Sequence, residues 1–316
     1  MLYDSYDEYE TMYSYLPGLK QRVVREVRAA NKQRQPRDSE PSEWLASQVE
    51  GEDELPISYG AGASEERMLR DALTIFYRDT VITEVVARVK GGKEANVYCC
   101  RAHPKTGMDL IAAKVYRPRI HRTLRNDAIY KEGRMMLDDD GKGIVRDQRL
   151  KRAVAKKTDF GQEIITFSWI EHENDTLQKL HAAGADVPRP IAHEGNAILM
   201  AYYGEVNQPA PTLNSVDIDP REAAPMFERL MWHVELMLAH NCVHGDLSPY
   251  NVLYWQGKAV VIDFPQAVVA LKNPHARRLL QRDIDRLAQY FERYGVQTNT
   301  AALGDSLWQQ FMNGDL

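Results

Sequence analysis

The sequence predicts an α+β protein of two lobes, a small β-rich lobe followed by a mainly helical one, and three observations carry the prediction. Residues 89–98 and 110–116 read as strand, glycine-bearing turn at Gly91-Gly92, strand, second turn at 104–107, and strand. Residues 225–240 hold Phe227, Leu230, Met231, Val234 and Leu238 at helical spacing, the mark of one buried helix face. Residues 252–255 and 259–262 flank Gln256-Gly257-Lys258 and read as a β-hairpin with a glycine turn.

Taken in order, residues 1–62 hold one amphipathic piece, 19–30, and then a polar stretch, 31–54, too poor in apolar residues to support a core; a mobile tail is expected. A helix over 65–79, capped by Ser64, presents Met68, Leu69, Ala72, Leu73, Ile75 and Phe76 to the small lobe. That lobe spans 63–200, interrupted at about 117–162 by a charged, flexible insertion that includes Asp138-Asp139-Asp140-Gly141-Lys142-Gly143. Residues 168–181 form a helix with Ser168 as cap and Trp169, Ile170, Leu177 and Leu180 facing inward. Residues 197–204 read as a buried strand leaving into a linker, and the helical lobe, 201–316, follows. Its last motif-bearing helix starts near Pro274 and runs to 294.

The chemistry concentrates in Val243-His244-Gly245-Asp246-Leu247-Ser248-Pro249-Tyr250-Asn251 and Val260-Val261-Ile262-Asp263-Phe264. An Asp, an Asn five positions on, and an Asp closing an apolar strand form the arrangement that protein-kinase-like enzymes use around a nucleotide triphosphate. Asp246 is the candidate base or orienting carboxylate, and Asn251 and Asp263 the candidate Mg²⁺ ligands, since Mg²⁺ favours carboxylate and amide oxygens. The alternative is an ordinary set of turn and strand-end residues. Lys114, inside the apolar run 110–116, needs a buried partner and is the candidate for the α and β phosphates; a snorkelling edge lysine is the other reading. Glu173 shares a helix face with Trp169, Leu177 and Leu180, which makes it the first choice of partner and Glu171 the reserve. Gly91 and Gly92 alone would be a weak phosphate-loop signal.

These residues resemble the RIO family of atypical serine/threonine protein kinases and ATPases over roughly residues 80–296. The resemblance rests on Gly92-Lys93-Glu94-Ala95-Asn96-Val97-Tyr98, Lys114-Val115-Tyr116, Trp169-x-Glu171-x-Glu173, the stretch from Val243 to Asn251, Ile262-Asp263-Phe264-Pro265-Gln266-Ala267-Val268 and Pro274-His275-Ala276. It implies a two-lobed protein-kinase-like fold of the RIO type without a long activation segment. It also implies ATP as substrate, Mg²⁺ or alternatively Mn²⁺ as the metal, and a nucleotide loop made of Gly91, Gly92, Lys93, Glu94, Ala95, Asn96 and Val97. By the same resemblance Met200 borders the adenine, backbone groups of 201–203, Tyr202 among them, bond it, and Lys114, Asp246 and Asp263 carry catalysis. The loop insertion would be basic and phosphorylatable. Asp283 takes the place of a carboxylate that holds the catalytic loop, with a solvated charge pair as the alternative, and His244 is supporting.

Three functions remain open: a protein serine/threonine kinase acting on a protein or on itself, an ATPase switch on a partner such as a ribosomal particle, or a small-molecule kinase. The last enters because His-Gly-Asp-Leu-x-Pro-x-Asn also occurs in aminoglycoside and choline kinases; the glycine-loop motif and the short chain after Val268 weigh against it.

At 316 residues and 44% hydrophobic content the chain can bury a sizeable core, and a net charge of −5 argues against a general nucleic-acid coat, so direct DNA binding is not expected. Three cysteines, Cys99, Cys100 and Cys242, two of them adjacent in a strand, do not make a disulfide framework. No run approaches a membrane span and no signal sequence opens the chain, which suits a cytoplasmic enzyme. His233 and His240 lack metal-spaced partners and read as ordinary helix histidines.

Overall fold

A computed structural model describes residues 54–117, 156 and 158–316. The amphipathic piece at 19–30, the polar stretch up to 53 and most of the insertion lie outside these residues.

The small lobe is a five-stranded antiparallel sheet in the order β1-β2-β3-β5-β4. Its strands are β1 (Ile82–Gly91), β2 (Ala95–Ala102), β3 (Leu110–Tyr116), β4 (Pro190–Glu194) and β5 (Ala197–Ala201). Side chains alternate across a sheet, so register assigns every residue a face. Lys114 pairs with Val97 on one side and Ile198 on the other, and Ala112 pairs with Met200, so these five share one face. Tyr98, Ala113, Val115 and Leu199 occupy the opposite face and pack on α1 (Ala63–Arg78).

Three expectations about this lobe are corrected. The helix begins at Ala63 with Gly62 at the cap position, so Ser64 lies inside its first turn and caps nothing; Glu65 and Glu66 face the positive end of the helix dipole instead. Ile75 is 37% exposed, because the buried stripe is Leu69, Ala72, Leu73 and Phe76. The tail expected through residue 62 is cut short: Leu55 is fully buried in the small-lobe core, and the amide of Val85 donates to the carbonyl of Pro56 at 2.9 Å.

Between the lobes runs α2 (Asp159–Ala182), 24 residues long. It starts nine residues ahead of the expected cap, so Ser168 is interior and the insertion ends before 159. Ile170, Glu173, Leu177 and Leu180 are buried at spacings of three and four, one stripe of the helix.

The large lobe is built on α3 (Pro220–Ala239) and α4 (Ala276–Glu292), with α5 (Thr300–Asn313) against α4. The expected start at Pro225 is wrong by five residues: Asp219 caps the helix, accepting from the Arg221 amide at 2.8 Å, and Pro220 fills the first helical position. Pro225 therefore sits inside, giving up one backbone hydrogen bond. Short pairs, β6 (Gly204–Glu205) with β7 (Gln208–Pro209) and β8 (Cys242–Val243) with β11 (Val268–Val269), bracket the hairpin of β9 (Val252–Trp255) and β10 (Lys258–Val261). The hairpin turn has only two residues, Gln256 at φ 50° and Gly257 at φ 76°, the left-handed pair that suits strand twist. Three residues, Pro265, Gln266 and Ala267, separate Phe264 from β11, which leaves no long activation segment. The cysteines are free. Among the described residues, no helix is long and apolar enough to cross a membrane.

Candidate active site

Lys114 projects from β3 between two carboxylates. Its Nζ lies 2.6 Å from Glu173 Oε1 on α2 and 2.6 Å from Asp263 Oδ1, just past β10. The side chains of Lys114 and Glu173 are 11% and 4% exposed, whereas that of Asp263 is 40% exposed and opens to the cleft. Burial opposes the lysine charge, but Asp263 and Glu173 outweigh it and raise its pKa. Burial also opposes ionisation of Asp263; here the Lys114 ammonium wins and holds the carboxyl below the usual aspartate range. For Glu173 burial prevails and the pKa is raised. One ammonium facing two carboxylates leaves a surplus of negative charge, and Asp263 is the more accessible bearer of it. Glu173 Oε1 also accepts from the amide of Phe264 at 3.3 Å, tying α2 to the residue after Asp263. Glu171 is the outer glutamate, 39% exposed and 3.6 Å from His193 Nδ1.

Asp246 sits in the loop between β8 and β9, and a helix beneath holds that loop by its backbone. Asp283 of α4, 2% exposed, accepts from the Gly245 amide at 2.7 Å and the Leu247 amide at 3.2 Å. Its burial pushes the carboxyl up to about 7, against the pull of the Gly245 amide and Arg282. Gly245 has φ 78°, which a glycine adopts without strain. The Asp246 amide donates to His244 Nδ1 at 3.3 Å, so the ring proton belongs on Nε2, 3.1 Å from the Ile262 carbonyl. Burial lowers the His244 pKa, in keeping with that neutral tautomer.

Asn251 donates through Nδ2 to the Asp246 carbonyl at 2.9 Å and to Asp246 Oδ2 at 3.3 Å. Its backbone carbonyl accepts from the Ile262 amide at 3.0 Å, which sets it beside Asp263. Asp263 itself has φ 71°, a left-handed conformation that Asp tolerates better than most residues.

The turn from β1 to β2 carries Gly92, Lys93 and Glu94. A Cβ on Gly92 would lie 2.6 Å from the Ala95 carbonyl oxygen, closer than real Cβ contacts come, so the turn requires glycine there. Val97 shares the Lys114 face. Asn96 does not: its Nδ2 donates to the Tyr98 hydroxyl at 2.9 Å, that hydroxyl donates to Glu65 on α1, and Arg117 donates to Asn96 Oδ1 at 3.2 Å. The Asn96 side chain therefore belongs to the back of the sheet, and only its backbone could take part in a nucleotide loop. At the lobe junction Met200 lies on the Lys114 face, and the Tyr202 hydroxyl donates to the Glu205 carbonyl at 3.1 Å.

Sequence reading missed Arg286, whose Nη1 donates to Asp246 Oδ1 at 2.8 Å. The available signal was its place one helical turn beyond Asp283 on α4, which puts it on the flank facing the same loop.

A family model described as the RIO domain matches residues 97–303. The chain belongs to the RIO domain family. The RIO-type serine/threonine-protein kinase Rio1 of Haloferax volcanii is 31% identical over 72% of this chain and 68% of its own length. The protein of the same name from Thermoplasma acidophilum is 31% identical over 54% of this chain and 86% of its own. The serine/threonine-protein kinase RIO1 of Chaetomium thermophilum is 31% identical over 69% of this chain, which spans only 41% of that longer protein. Likeness to these named kinases supports a RIO-type kinase, an enzyme class that uses ATP and usually Mg²⁺.

The residues present fit such a metal. Among the described residues no three His, Cys, Asp or Glu side chains gather as a preformed cage. Mg²⁺ seldom needs one, being held through one or two protein oxygens together with phosphates and water. Asp263 supplies a half-buried carboxylate, and Asn251, with Nδ2 committed to Asp246, has its amide oxygen to offer.

Proposed function

We propose that this chain is a cytoplasmic protein serine/threonine kinase that transfers the γ-phosphoryl group of ATP to a protein hydroxyl, its own included. The observation that carries the reading is the convergence of Lys114, Glu173 and Asp263 within single hydrogen bonds, with Asp246 and Asn251 on the adjoining loop. Lys114 would bind the α and β phosphates, and Glu173 keeps it charged and aimed. Asp246 would orient the hydroxyl and take its proton. Asn251 and Asp263 would hold Mg²⁺, which when bound neutralises charge on the phosphates. Gly91, Gly92, Lys93, Glu94, Ala95 and Val97 would cover the phosphates, and Met200 and Tyr202 would border the adenine.

One observation favours a second reading on the same site. With only Pro265, Gln266 and Ala267 ahead of β11, the chain lacks the segment on which larger kinases align a peptide. An ATPase that switches its grip on a macromolecular partner, a ribosomal particle for instance, would need no such segment. The acceptor chemistry separates the two: after incubation with γ-labelled ATP and Mg²⁺, acid-stable label on serine or threonine supports the kinase, whereas free phosphate with little or acid-labile label supports the switch. Neither signal, with label appearing on an added aminoglycoside or choline, would overturn both.

The choice between the two glutamates gives a sharper expectation. Glu173→Gln should reduce ATP turnover at least about tenfold more than Glu171→Gln, since only Glu173 is buried against the lysine. Comparing kcat/KM for the two purified variants checks it, and the reverse order would reassign the partner.

A further inference from the structure

We propose that Arg286 selects the acceptor, favouring a serine or threonine hydroxyl that lies beside acidic residues of a protein chain; the proposal rests on the phosphotransfer reading above. Arg286 reaches Asp246 across an ion pair of 2.8 Å whose two side chains are 40% and 45% exposed, so the pair lies where an acceptor must arrive. A guanidinium offers five N–H donors in a planar fork suited to carboxylates, and the contact with Asp246 engages Nη1.

Arg286 does not stand alone. Arg278, Arg282 and Arg286 recur every four residues along α4 and form one ridge. Arg278 is exposed, while Arg282 and Arg286 are half-buried, and Arg282 donates to the Gly245 carbonyl. The ridge thus runs beside the loop that carries Asp246 and ends on Asp246 itself.

An aspartate or glutamate next to the acceptor hydroxyl offers Arg286 the same kind of partner that Asp246 now provides. The exchange keeps the guanidinium satisfied and releases Asp246 Oδ1 to receive the hydroxyl proton. A neutral acceptor must compete with the existing pair, and a basic one adds repulsion from the ridge. The transfer then balances simply. The acceptor oxygen bonds to the γ-phosphorus of ATP, the bond from that phosphorus to the β,γ-bridging oxygen breaks, ADP leaves, and the hydroxyl proton passes to Asp246 and on to solvent. A carboxylate partner is favoured over nucleic acid because Arg286 is already seated on a carboxylate, that of Asp246.

The test uses three peptides of one length with a single serine followed by glutamates, glutamines or lysines. Steady-state labelling is measured with the full chain and with Arg286→Gln, Arg286→Lys and Arg278→Gln. The expected KM for the acidic peptide is at least about tenfold below that for the neutral one, and Arg286→Gln brings the two within about twofold. Arg286→Lys restores part of the preference, because charge remains without the fork. Equal use of acidic and neutral peptides by the unaltered chain would overturn the proposal. So would a fall in kcat shared by all peptides with the preference intact, the sign of a purely structural arginine.

Absence of label on every peptide would count against the phosphotransfer reading instead. The proposal is then judged by fluorescence anisotropy with a labelled acidic peptide and a non-hydrolysable ATP analogue. Tighter binding than the neutral peptide, lost in Arg286→Gln, upholds it; equal binding overturns it. Displacement of the acidic peptide by a uridine oligonucleotide at lower concentration than by unlabelled acidic peptide would assign the ridge to RNA and overturn it as well.

Discussion

Replacing Lys114 by alanine is expected to damage stability and ATP use together. The side chain is 11% exposed and is the cation in contact with Glu173, itself 4% exposed. Removing one member of a buried pair leaves the other charged in a poorly solvated place, which typically costs about 3–5 kcal/mol. The full penalty is softened because Glu173, its pKa already raised by burial, can take up a proton. A denaturant melt of Lys114→Ala should therefore show a clearly lowered midpoint, and adding Glu173→Gln to the same chain should recover part of it. Activity should fall further than stability explains, by at least about a hundredfold in kcat/KM at equal folded fraction, since the phosphates lose their positioning charge. An unchanged rate would move the phosphate contact to Lys93 or elsewhere.

Asp263 is expected to behave differently, with a large loss of turnover and little loss of fold. Its side chain is 40% exposed, and Lys114 keeps Glu173 when Asp263 is removed. Alanine at φ 71° would add backbone strain of about 1–2 kcal/mol, so Asp263→Asn, which tolerates that conformation, is the cleaner companion to Asp263→Ala. Both should lower Mg²⁺-dependent ATP turnover by at least about a thousandfold, or ~4 kcal/mol of transition-state stabilisation. Retained turnover in either folded variant would sink the metal assignment.

The parts of this site that were legible in the sequence are those where chemistry and local pattern coincide. Lys114 stood out as a charge within an apolar strand, and Glu173 as a charge on the inward stripe of a helix. The hairpin that brings Asn251 and Asp263 together announced itself through Gln256-Gly257. Asp283 was readable only by resemblance, because an Asp among Arg282, Asp285 and Arg286 looks like a solvated charge cluster until its two backbone partners are seen.

Errors fell where tertiary context overrides local signals. Ser64 and Ser168 are good caps by type, yet both helices begin earlier, α2 by nine residues. Pro225 drew the start of α3 although Asp219-Pro220 is the stronger signal. Asn96 sits in the glycine-loop motif, but strand alternation sends its side chain to Tyr98 and away from Lys114, a fact that follows from register, which the motif does not encode. Leu55 follows directly on the polar stretch of 31–54, inside the tail expected through residue 62, and only its neighbours beside β1 reveal its core contact.

The role proposed for Asp246 is phosphoryl transfer from ATP. It is tested most directly by following loss of the labelled γ-phosphoryl group with Mg²⁺ for the unaltered chain and for Asp246→Ala, with thermal melts establishing equal folded fractions. Steady turnover is expected from the unaltered chain, with a fall of at least about a hundredfold in the variant. Equal turnover by the two folded proteins would contradict that role.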